Sequence, residues 1–231
     1  MTRPNERIIV ALDVAQEDEA LRLVERLASR ISRFKVGLQL YTAAGPEVVR
    51  KIIATGAKVF LDLKLHDIPN TVEGAVESAR TLGVEMMTIH LGGGEPMIRA
   101  ALEAAEDRLI IVGVTVLTSQ NDETLGAVGC SEGVANQVMR LAKLGVGCGI
   151  RALVASPQEA PALRTEFGEQ VKIITPGIRP AGAVSGDQKR VTTPSEAIEA
   201  GADFLVIGRP IVDDPHPVSA VDRILAEIGS R

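Results

Sequence analysis

The chain has 231 residues, of which 45% are apolar and 24% charged, so it is long enough for one large folded domain and is not intrinsically disordered. Only 2% of the residues are aromatic, which argues against the stacking surfaces that single-stranded nucleic-acid binding requires. The net charge of −5 disfavours binding to a phosphate backbone, so we expect no nucleic-acid partner.

The sequence offers little that would form a disulfide framework, a structural zinc site or a membrane anchor. Its two cysteines, Cys130 and Cys148, form no paired motif, so we expect reduced thiols and no zinc site. No apolar run approaches the roughly 18 residues that span a bilayer. The first run, Ile8–Leu12, ends at Asp13 and lacks the pattern of a secretory signal. We therefore expect a cytoplasmic protein without a membrane partner.

Short apolar runs alternate with amphipathic segments along the whole chain. The runs are rich in Val, Ile and Leu and too short for helices, as is typical of strands buried on both faces of a parallel sheet. The predicted strands are Ile8–Leu12, Phe34–Leu38, Lys58–Leu63, Val84–Ile89, Leu109–Val114, Arg151–Val154, Val171–Ile174 and Phe204–Ile207.

Between these strands, apolar residues recur at helical spacing, as Leu21, Val24 and Leu27 do. The predicted helices are Glu17–Arg30, Gly45–Ala54, Val72–Leu82, Glu95–Ala105, Val134–Leu144, Pro157–Glu166, Thr193–Ala200 and Ala220–Ile228. Thr193, followed by a proline and then Glu196, has the pattern of a helix amino terminus, with a capping side chain and an acidic residue in the first turn.

Eight strand–helix units in 231 residues correspond to about 29 residues per unit, the compact spacing of a (β/α)8 barrel. No linker or low-complexity segment divides the chain. We therefore predict an α/β fold with a single (β/α)8 TIM-barrel domain over residues 1–231. A doubly wound open sheet is the alternative, but it favours a glycine-rich turn after the first strand, where Ala11–Val14 has no glycine.

Barrels of this type have their active sites at the carboxyl ends of the strands, and the first three predicted strands carry charged residues. Asp13 ends the first strand, and Lys35 lies near the start of the second. Asp62 and Lys64 are two residues apart in the third, so strand alternation places both side chains on one face, which we predict is the barrel interior. Buried charges of this kind are unfavourable unless they are paired. A structural ion pair would explain Asp62 and Lys64, but not Lys35 and Asp67, which we expect to converge there.

The ends of the last two strands indicate an anion site. Arg179 follows the seventh strand, and Gly208 and Arg209 follow the eighth. In barrels these two loops often bind a phosphate, because glycine lets backbone N–H groups approach the anion and arginine supplies a fork of donors. Gly208 and Arg209 alone are equally consistent with an ordinary strand-ending turn. Together with Arg179 they predict phosphate binding.

The three histidines, His66, His90 and His216, have no spacing suited to a metal, and we expect structural or peripheral roles for them, although His90 ends the fourth strand. No P-loop, flavin or thiamine motif occurs, so the sequence indicates neither a metal nor an organic cofactor.

The segment Asp62–Thr71, with the sequence DLKLHDIPNT, closely resembles the orotidine 5'-monophosphate decarboxylase family. Its Asp-x-Lys-x-x-Asp core is shared with sugar-phosphate enzymes of the same barrel superfamily, whereas the continuation Ile68–Thr71 is far more specific. The resemblance covers nearly the whole chain, and further matching segments are Ala11–Asp13, Phe34–Gly37, Val116–Ser119, Thr175–Arg179 and Ile207–Pro210. The chain resembles the free-standing enzyme, without a fused phosphoribosyltransferase domain.

The resemblance implies that the chain converts orotidine 5'-monophosphate to UMP, the last step of pyrimidine nucleotide synthesis, with no metal or organic cofactor. Lys64 would donate a proton to C6 of the pyrimidine, and Asp62 would lie beside the leaving carboxylate. Lys35 and Asp67 would complete an alternating charged array. The resemblance further implies a homodimer, in which Asp67 and Thr71 enter the site of the neighbouring subunit.

The remaining substrate-binding residues follow from the same resemblance. Asp13 and Lys35 resemble the pair that binds the ribose, and Thr118 resembles the position that contacts the base. The residues that match the phosphate and lid positions are Arg179, Gln188, Gly208 and Arg209. We expect the loop Pro180–Arg190 to become ordered when nucleotide binds.

Two other functions stay open. A metal-dependent sugar-phosphate decarboxylase or aldolase would share the Asp-x-Lys-x-x-Asp core, but not the continuation Ile68–Thr71. A catalytically silent nucleotide-binding protein would have no need of the charged pair Asp62 and Lys64.

Overall fold

The protein is described by a computed structural model that covers residues 3–180 and 192–229. Eight strands in this part of the chain form a closed parallel barrel in which each strand pairs with the next and the last pairs with the first. The strands are β1 Ile8–Ala11, β2 Arg33–Gly37, β3 Lys58–Leu65, β4 Met86–His90, β5 Ile110–Val114, β6 Ala152–Val154, β7 Lys172–Thr175 and β8 Phe204–Ile207. The closed order confirms the predicted barrel and excludes the open doubly wound sheet.

Helices follow the strands and surround the barrel. They are α1 Glu17–Leu27, α2 Leu38–Ala54, α3 Pro69–Leu82, α4 Gly94–Ala105, α5 Asp122–Ala127, α6 Gly133–Cys148, α7 Ala160–Phe167, α8 Pro194–Glu199, α9 Arg209–Val212 and α10 Pro217–Gly229. The short helices α5 and α9 were not predicted, since neither is long enough to show an apolar period. None of the helices in the described ranges combines the length and the apolar character that crossing a membrane would require.

Helix α2 begins at Leu38, seven residues before the predicted start at Gly45. Gly45 adopts a φ of 67°, a left-handed conformation that glycine tolerates, and Pro46 follows it. The segment is thus two helical pieces joined at a kink, and the prediction identified only the second. The predicted start of α8 is confirmed, because the Thr193 hydroxyl accepts a hydrogen bond from the Glu196 N–H at 3.3 Å while the Glu196 carboxylate accepts one from the Thr193 N–H at 2.9 Å.

Apolar side chains fill two layers, one between the strands and the helices and one inside the barrel. The inner layer consists of Ile9, Ala11, Phe60, Met86, Val112, Ala152, Ile174 and Val206, all nearly inaccessible to water. Filling the interior with apolar side chains makes the lower barrel a packed core, and a cavity opens above it. That arrangement fixes the position of the site at the carboxyl ends of the strands.

The amino-terminal end of the barrel is closed by a charged cluster. The Arg33 guanidinium binds the Glu85 carboxylate at 2.8 Å and lies 5.4 Å from the centre of the Phe204 ring, while the Lys58 ammonium reaches the other Glu85 oxygen at 2.8 Å. Burial raises the pKa of Glu85, but the hydrogen bonds and charges of Arg33 and Lys58 outweigh it, so the pKa lies below its ordinary value. This cluster ties β2, β3 and the start of β4 together.

Candidate active site

A cavity of about 490 Å³ opens at the carboxyl ends of the strands, within the size range of small-molecule sites. Its floor includes four members of the inner apolar layer, Ala11, Phe60, Ile174 and Val206. The predicted site residues that line it are Asp13, Lys35, Asp62, Lys64, Thr118, Arg179, Gly208 and Arg209. The barrel thus brings together side chains that are as much as 196 residues apart, counting from Asp13 to Arg209.

Four charged side chains form an alternating row on one wall of this cavity. The Lys35 ammonium lies 2.9 Å from the Asp13 carboxylate and 3.6 Å from the Asp62 carboxylate. The Lys64 ammonium lies 2.9 Å from the other Asp62 oxygen. Lys35 and Asp62 are largely buried, with side chains 10% and 13% exposed, whereas Lys64 is 29% exposed and faces the open space. The row therefore ends in an ammonium that a bound molecule can reach.

The Asp62 carboxylate is held ionised by its surroundings. Burial alone raises its pKa, but the Lys35 and Lys64 ammonium groups, together with hydrogen bonds from Lys64 and Thr88, lower it below the ordinary value. A fixed negative charge therefore stands beside the Lys64 ammonium at neutral pH.

Strand β3 is irregular where it carries these residues. Its pairing with β4 shifts register between Leu61 and Leu65, and Lys64 adopts a φ of 51°, in the left-handed region that side chains other than glycine seldom occupy. Asp62 and Lys64 do point into the interior, as predicted. The assumption that regular strand alternation alone places Lys64 there is wrong, because the bulge helps to set its direction.

The part of the cavity mouth at the ends of β7 and β8 is basic. Arg179 is 7% exposed, and its guanidinium donates to the Ile178 carbonyl at 2.9 Å. Gly208 precedes Arg209, the first residue of α9. A Cβ at Gly208 would lie 3.4 Å from both the Ala11 side chain and the Asp13 carboxylate, so Gly208 packs directly beside the wall that carries Asp13. These groups can bind an anion at the mouth of the cavity.

Asp67 and Thr71 lie outside the cavity of their own chain. Both are exposed, and they flank Ile68, which is 66% exposed. The Asp67 carboxylate accepts a hydrogen bond from the Ile68 N–H at 2.7 Å. The expectation that Asp67 converges with Lys35 is therefore not met within one chain, because β3 ends at Leu65 and the following turn carries Asp67 outward. Gln188 and most of the loop Pro180–Arg190 lie outside the described residues.

The histidines at the ends of β3 and β4 contact each other. The His66 and His90 ring centres are 5.5 Å apart. Burial, followed by the charges of His66 and Lys64, lowers the pKa of His90. Across residues 3–180 and 192–229, no three His, Cys, Asp or Glu side chains are grouped to hold a metal ion.

Sequence reasoning missed Thr88, which is fully buried and bonds both Asp62 and Lys64. The available signal was a polar residue inside the apolar run of β4, an even number of residues from the inward-facing Met86.

Comparisons with known proteins identify the family of the chain. The family model described as "Orotidine 5'-phosphate decarboxylase / HUMPS family" matches residues 6–224. Orotidine 5'-phosphate decarboxylase of Geotalea daltonii is 47% identical over 99% of each chain, and that of Saccharophagus degradans is 45% identical over 99% of this chain and 97% of its own. The crystal structure of orotidine 5'-phosphate decarboxylase from Lactobacillus acidophilus superposes with a TM-score of 0.85 at 33% identity, covering 96% of this chain and 99% of that chain. The chain therefore belongs to the orotidine 5'-phosphate decarboxylase/HUMPS family.

Proposed function

We propose that the chain decarboxylates orotidine 5'-monophosphate to UMP without a metal or organic cofactor, and that Lys64 protonates C6 of the pyrimidine. The observation that carries the proposal is the alternating row Asp13, Lys35, Asp62 and Lys64, which ends in an accessible ammonium. Relatives at 45% and 47% identity over nearly the whole chain are named for this activity.

The cavity has two chemically different ends that suit a nucleotide. Arg179, Gly208 and Arg209 form the end for the 5'-phosphate, because guanidinium groups and backbone N–H groups match its oxygens. The Asp13–Lys35 pair lies between this end and Lys64, at a position suited to the ribose hydroxyls. We assign base contact to Thr118, which lines the cavity, and a phosphate contact to Gln188.

The reaction breaks the bond between C6 and the carboxylate carbon, and the electron pair stays on C6. The Lys64 ammonium donates a proton to that pair as CO₂ departs, and the neutral amine then recovers a proton from water. A fixed cation beside the developing negative charge stabilises it before the proton moves.

Repulsion between Asp62 and the substrate carboxylate contributes only part of the acceleration. Two such charges about 4 Å apart repel by roughly 4 kcal/mol at an effective dielectric constant near 20. A large enzymatic acceleration requires a barrier reduction of up to about 20 kcal/mol or more. Binding energy from the distant phosphate, used for orientation and loop closure, accounts for more of it.

We further propose that the site is shared between two subunits of a homodimer, with Asp67 and Thr71 completing the partner's cavity. Their exposure beside Ile68, outside their own cavity, supports this arrangement.

The alternative is a metal-dependent enzyme acting on a sugar phosphate. A divalent cation at Asp62 would have to share that carboxylate with the ammonium groups of Lys35 and Lys64, which disfavours it electrostatically.

The test is a spectrophotometric assay of orotidine 5'-monophosphate in the presence of a chelator. We expect UMP formation at an unchanged rate after chelation. Activity abolished by the chelator and restored by a divalent metal would support the metal-dependent alternative. Nucleotide binding without any turnover would indicate a silent binding protein.

A further inference from the structure

The hydroxyl of Thr88 connects the two central residues of the site. It accepts a hydrogen bond from the Lys64 main-chain N–H at 2.8 Å and donates one to the Asp62 carboxylate at 3.0 Å. The carboxylate oxygen that it contacts also accepts from the Lys64 ammonium at 2.9 Å. One hydroxyl can donate once and accept at the same time, so both contacts are compatible.

Thr88 lies beside a break in the hydrogen bonding between β3 and β4, where the Lys64 N–H lacks a regular partner in the sheet. Between Leu61 and Leu65 the pairing of β3 with β4 shifts register, so the regular ladder is interrupted at Lys64. The left-handed φ of Lys64 is unfavourable for a residue with a side chain and persists only where neighbouring groups hold it. The Thr88 hydroxyl takes the place of a ladder acceptor and holds the bulge in that conformation.

We propose that Thr88 is a positioning residue, which fixes the Lys64 bulge and the Asp62 carboxylate together so that the ammonium is aimed at the reacting carbon. Thr88 does not line the cavity and does not touch the substrate. It is fully buried on β4, so its hydroxyl has no freedom to exchange these partners for water. The inference rests on the proposed function, because the reacting carbon is that of the decarboxylation.

Substitution of Thr88 separates this role from simple packing. Valine keeps the shape of threonine without the hydroxyl, and serine keeps the hydroxyl without the methyl group; alanine lacks both. We expect Thr88→Val and Thr88→Ala to lower kcat by about 10- to 100-fold, as small misplacements of reacting groups do. Thr88→Ser keeps both hydrogen bonds and should stay within about threefold of wild type.

Two further readouts exclude a merely structural effect. UMP binding should change little, because the phosphate end of the cavity is untouched, so the loss appears in kcat rather than in affinity. The acid limb of kcat/KM should move to higher pH in Thr88→Val, since the carboxylate loses a donor that favours its ionised form. The charged and titratable groups that approach Asp62 are Lys35 from β2, Lys64 from β3 and His90 from β4, and all three remain.

Thr115→Val is the matched control. Thr115 is also buried, just after β5, but among the described residues its hydroxyl contacts the Val154 carbonyl alone, at 3.4 Å. We expect kcat within about twofold of wild type for this variant, because it removes no contact to Asp62 or Lys64. If Thr88→Val does not fold, the Thr88→Ala and Thr88→Ser pair decides the question, since they differ only in the hydroxyl.

The outcomes are distinct. A Thr88→Val kcat near wild type, or equal losses in the serine and alanine variants, would overturn the positioning role while leaving the proposed function intact. A wild-type chain that does not decarboxylate orotidine 5'-monophosphate would overturn the proposed function, and the positioning role with it.

Discussion

At the scale of single residues, the site is a row of alternating positive and negative charges. Attraction between neighbours offsets the cost of burying the charges in the middle of the row. Lys35 is shared by Asp13 and Asp62, and Asp62 by Lys35 and Lys64. Removing the partner of a buried charge would strongly destabilise the folded protein. Lys35 and Asp62, the buried residues in the middle of the row, are therefore constrained by folding and chemistry together, whereas Lys64 is partly exposed and more free to move.

Arg209 is expected to recognise the phosphate of the nucleotide. Arg209→Ala should weaken UMP binding far more than uridine binding, because truncating a charged contact of this kind costs about 2–5 kcal/mol. Isothermal titration with both ligands measures the difference. Arg223→Ala, which removes an exposed guanidinium paired with Asp214, is the control and should alter neither affinity. Equal losses for UMP and uridine would show that Arg209 does not contact the phosphate.

Residue positions inside the barrel could be predicted from strand parity, because a parallel strand sends alternate side chains inward. This rule placed Asp62 in the barrel interior correctly. It could not reveal Thr88, whose importance depends on a register shift between two strands distant in sequence. The separate expectation that Asp67 converges with Lys35 is not met within one chain, since β3 ends two residues earlier and no local signal fixes the direction of the following turn.

At the scale of elements, the strands were predictable because buried parallel strands are short, continuous apolar runs. Helix boundaries were less so. The start of α2 was missed because Gly45 and Pro46 have the pattern of a helix start, although here they lie at a kink inside one. The helix α9 spans four residues and contains a proline, too little for an apolar period. Such short elements are set by tertiary contacts rather than by local sequence.

A side chain at Gly37, at the end of β2, should disturb the active site rather than the fold. A Cβ there would lie 2.9 Å from the Lys35 ammonium and 3.4 Å from the Asp13 carboxylate. Gly37→Ala should displace the flexible lysine and lower kcat/KM by about tenfold or more. The melting temperature should change little, because only the end of a side chain has to move.

Gly147→Ala, in the last turn of α6, is the control for this substitution. No atom of the described residues lies within 4 Å of its added Cβ, so the change should preserve activity and slightly increase stability. Enzyme assays and thermal melts of both variants provide the comparison. A fully active Gly37→Ala variant would show that the position of Lys35 is not critical.

At the scale of the whole molecule, stability should decline in acid through carboxylates buried with basic partners. Burial raises the pKa of Glu85, but hydrogen bonds from Arg33 and Lys58 bring it below the ordinary 4.5. Because the folded pKa is the lower one, the stabilisation is fully present above about pH 4.5 and is lost as the pH falls through the folded value. The pKa of Asp203, which is bonded to Arg164 and Lys172, is also lowered, so its contribution to stability is likewise lost as the pH falls.

Urea unfolding between pH 7 and pH 3 measures this dependence. Glu85→Gln should lower the free energy of unfolding at pH 7, by about 1–3 kcal/mol, and flatten its decline in acid. Glu103→Gln, on the exposed surface of α4, is the control. An unchanged pH dependence in Glu85→Gln would assign the acid sensitivity to other groups.

A shared site would make two inactive variants complement each other. Asp67→Asn and Lys64→Ala homodimers should both be nearly inactive. In a mixed dimer one site carries both substitutions and the other carries neither. Equal mixing makes about half of the dimers mixed, each with one intact site of two, so activity should return to roughly a quarter of wild type. No recovery despite proven subunit exchange would show that Asp67 serves its own chain.

The closed barrel and the end at which its cavity opens were predictable, because eight regular units and the strand-end rule leave few arrangements. The expected homodimer rests on the family resemblance alone, since the residue pattern around the exposed Ile68 gives no information about what covers it.

The central claim is that this chain removes CO₂ from orotidine 5'-monophosphate and that Lys64 supplies the proton. Substrate labelled with ¹³C in its carboxylate, incubated with wild type and with Lys64→Ala in deuterium oxide with a chelator, tests both parts by NMR. We expect wild type to release the label and to form UMP with deuterium at C6. Lys64→Ala should still bind UMP but fall by many orders of magnitude in turnover. No label release by wild type, or more than a few per cent of its rate in Lys64→Ala, would contradict the account.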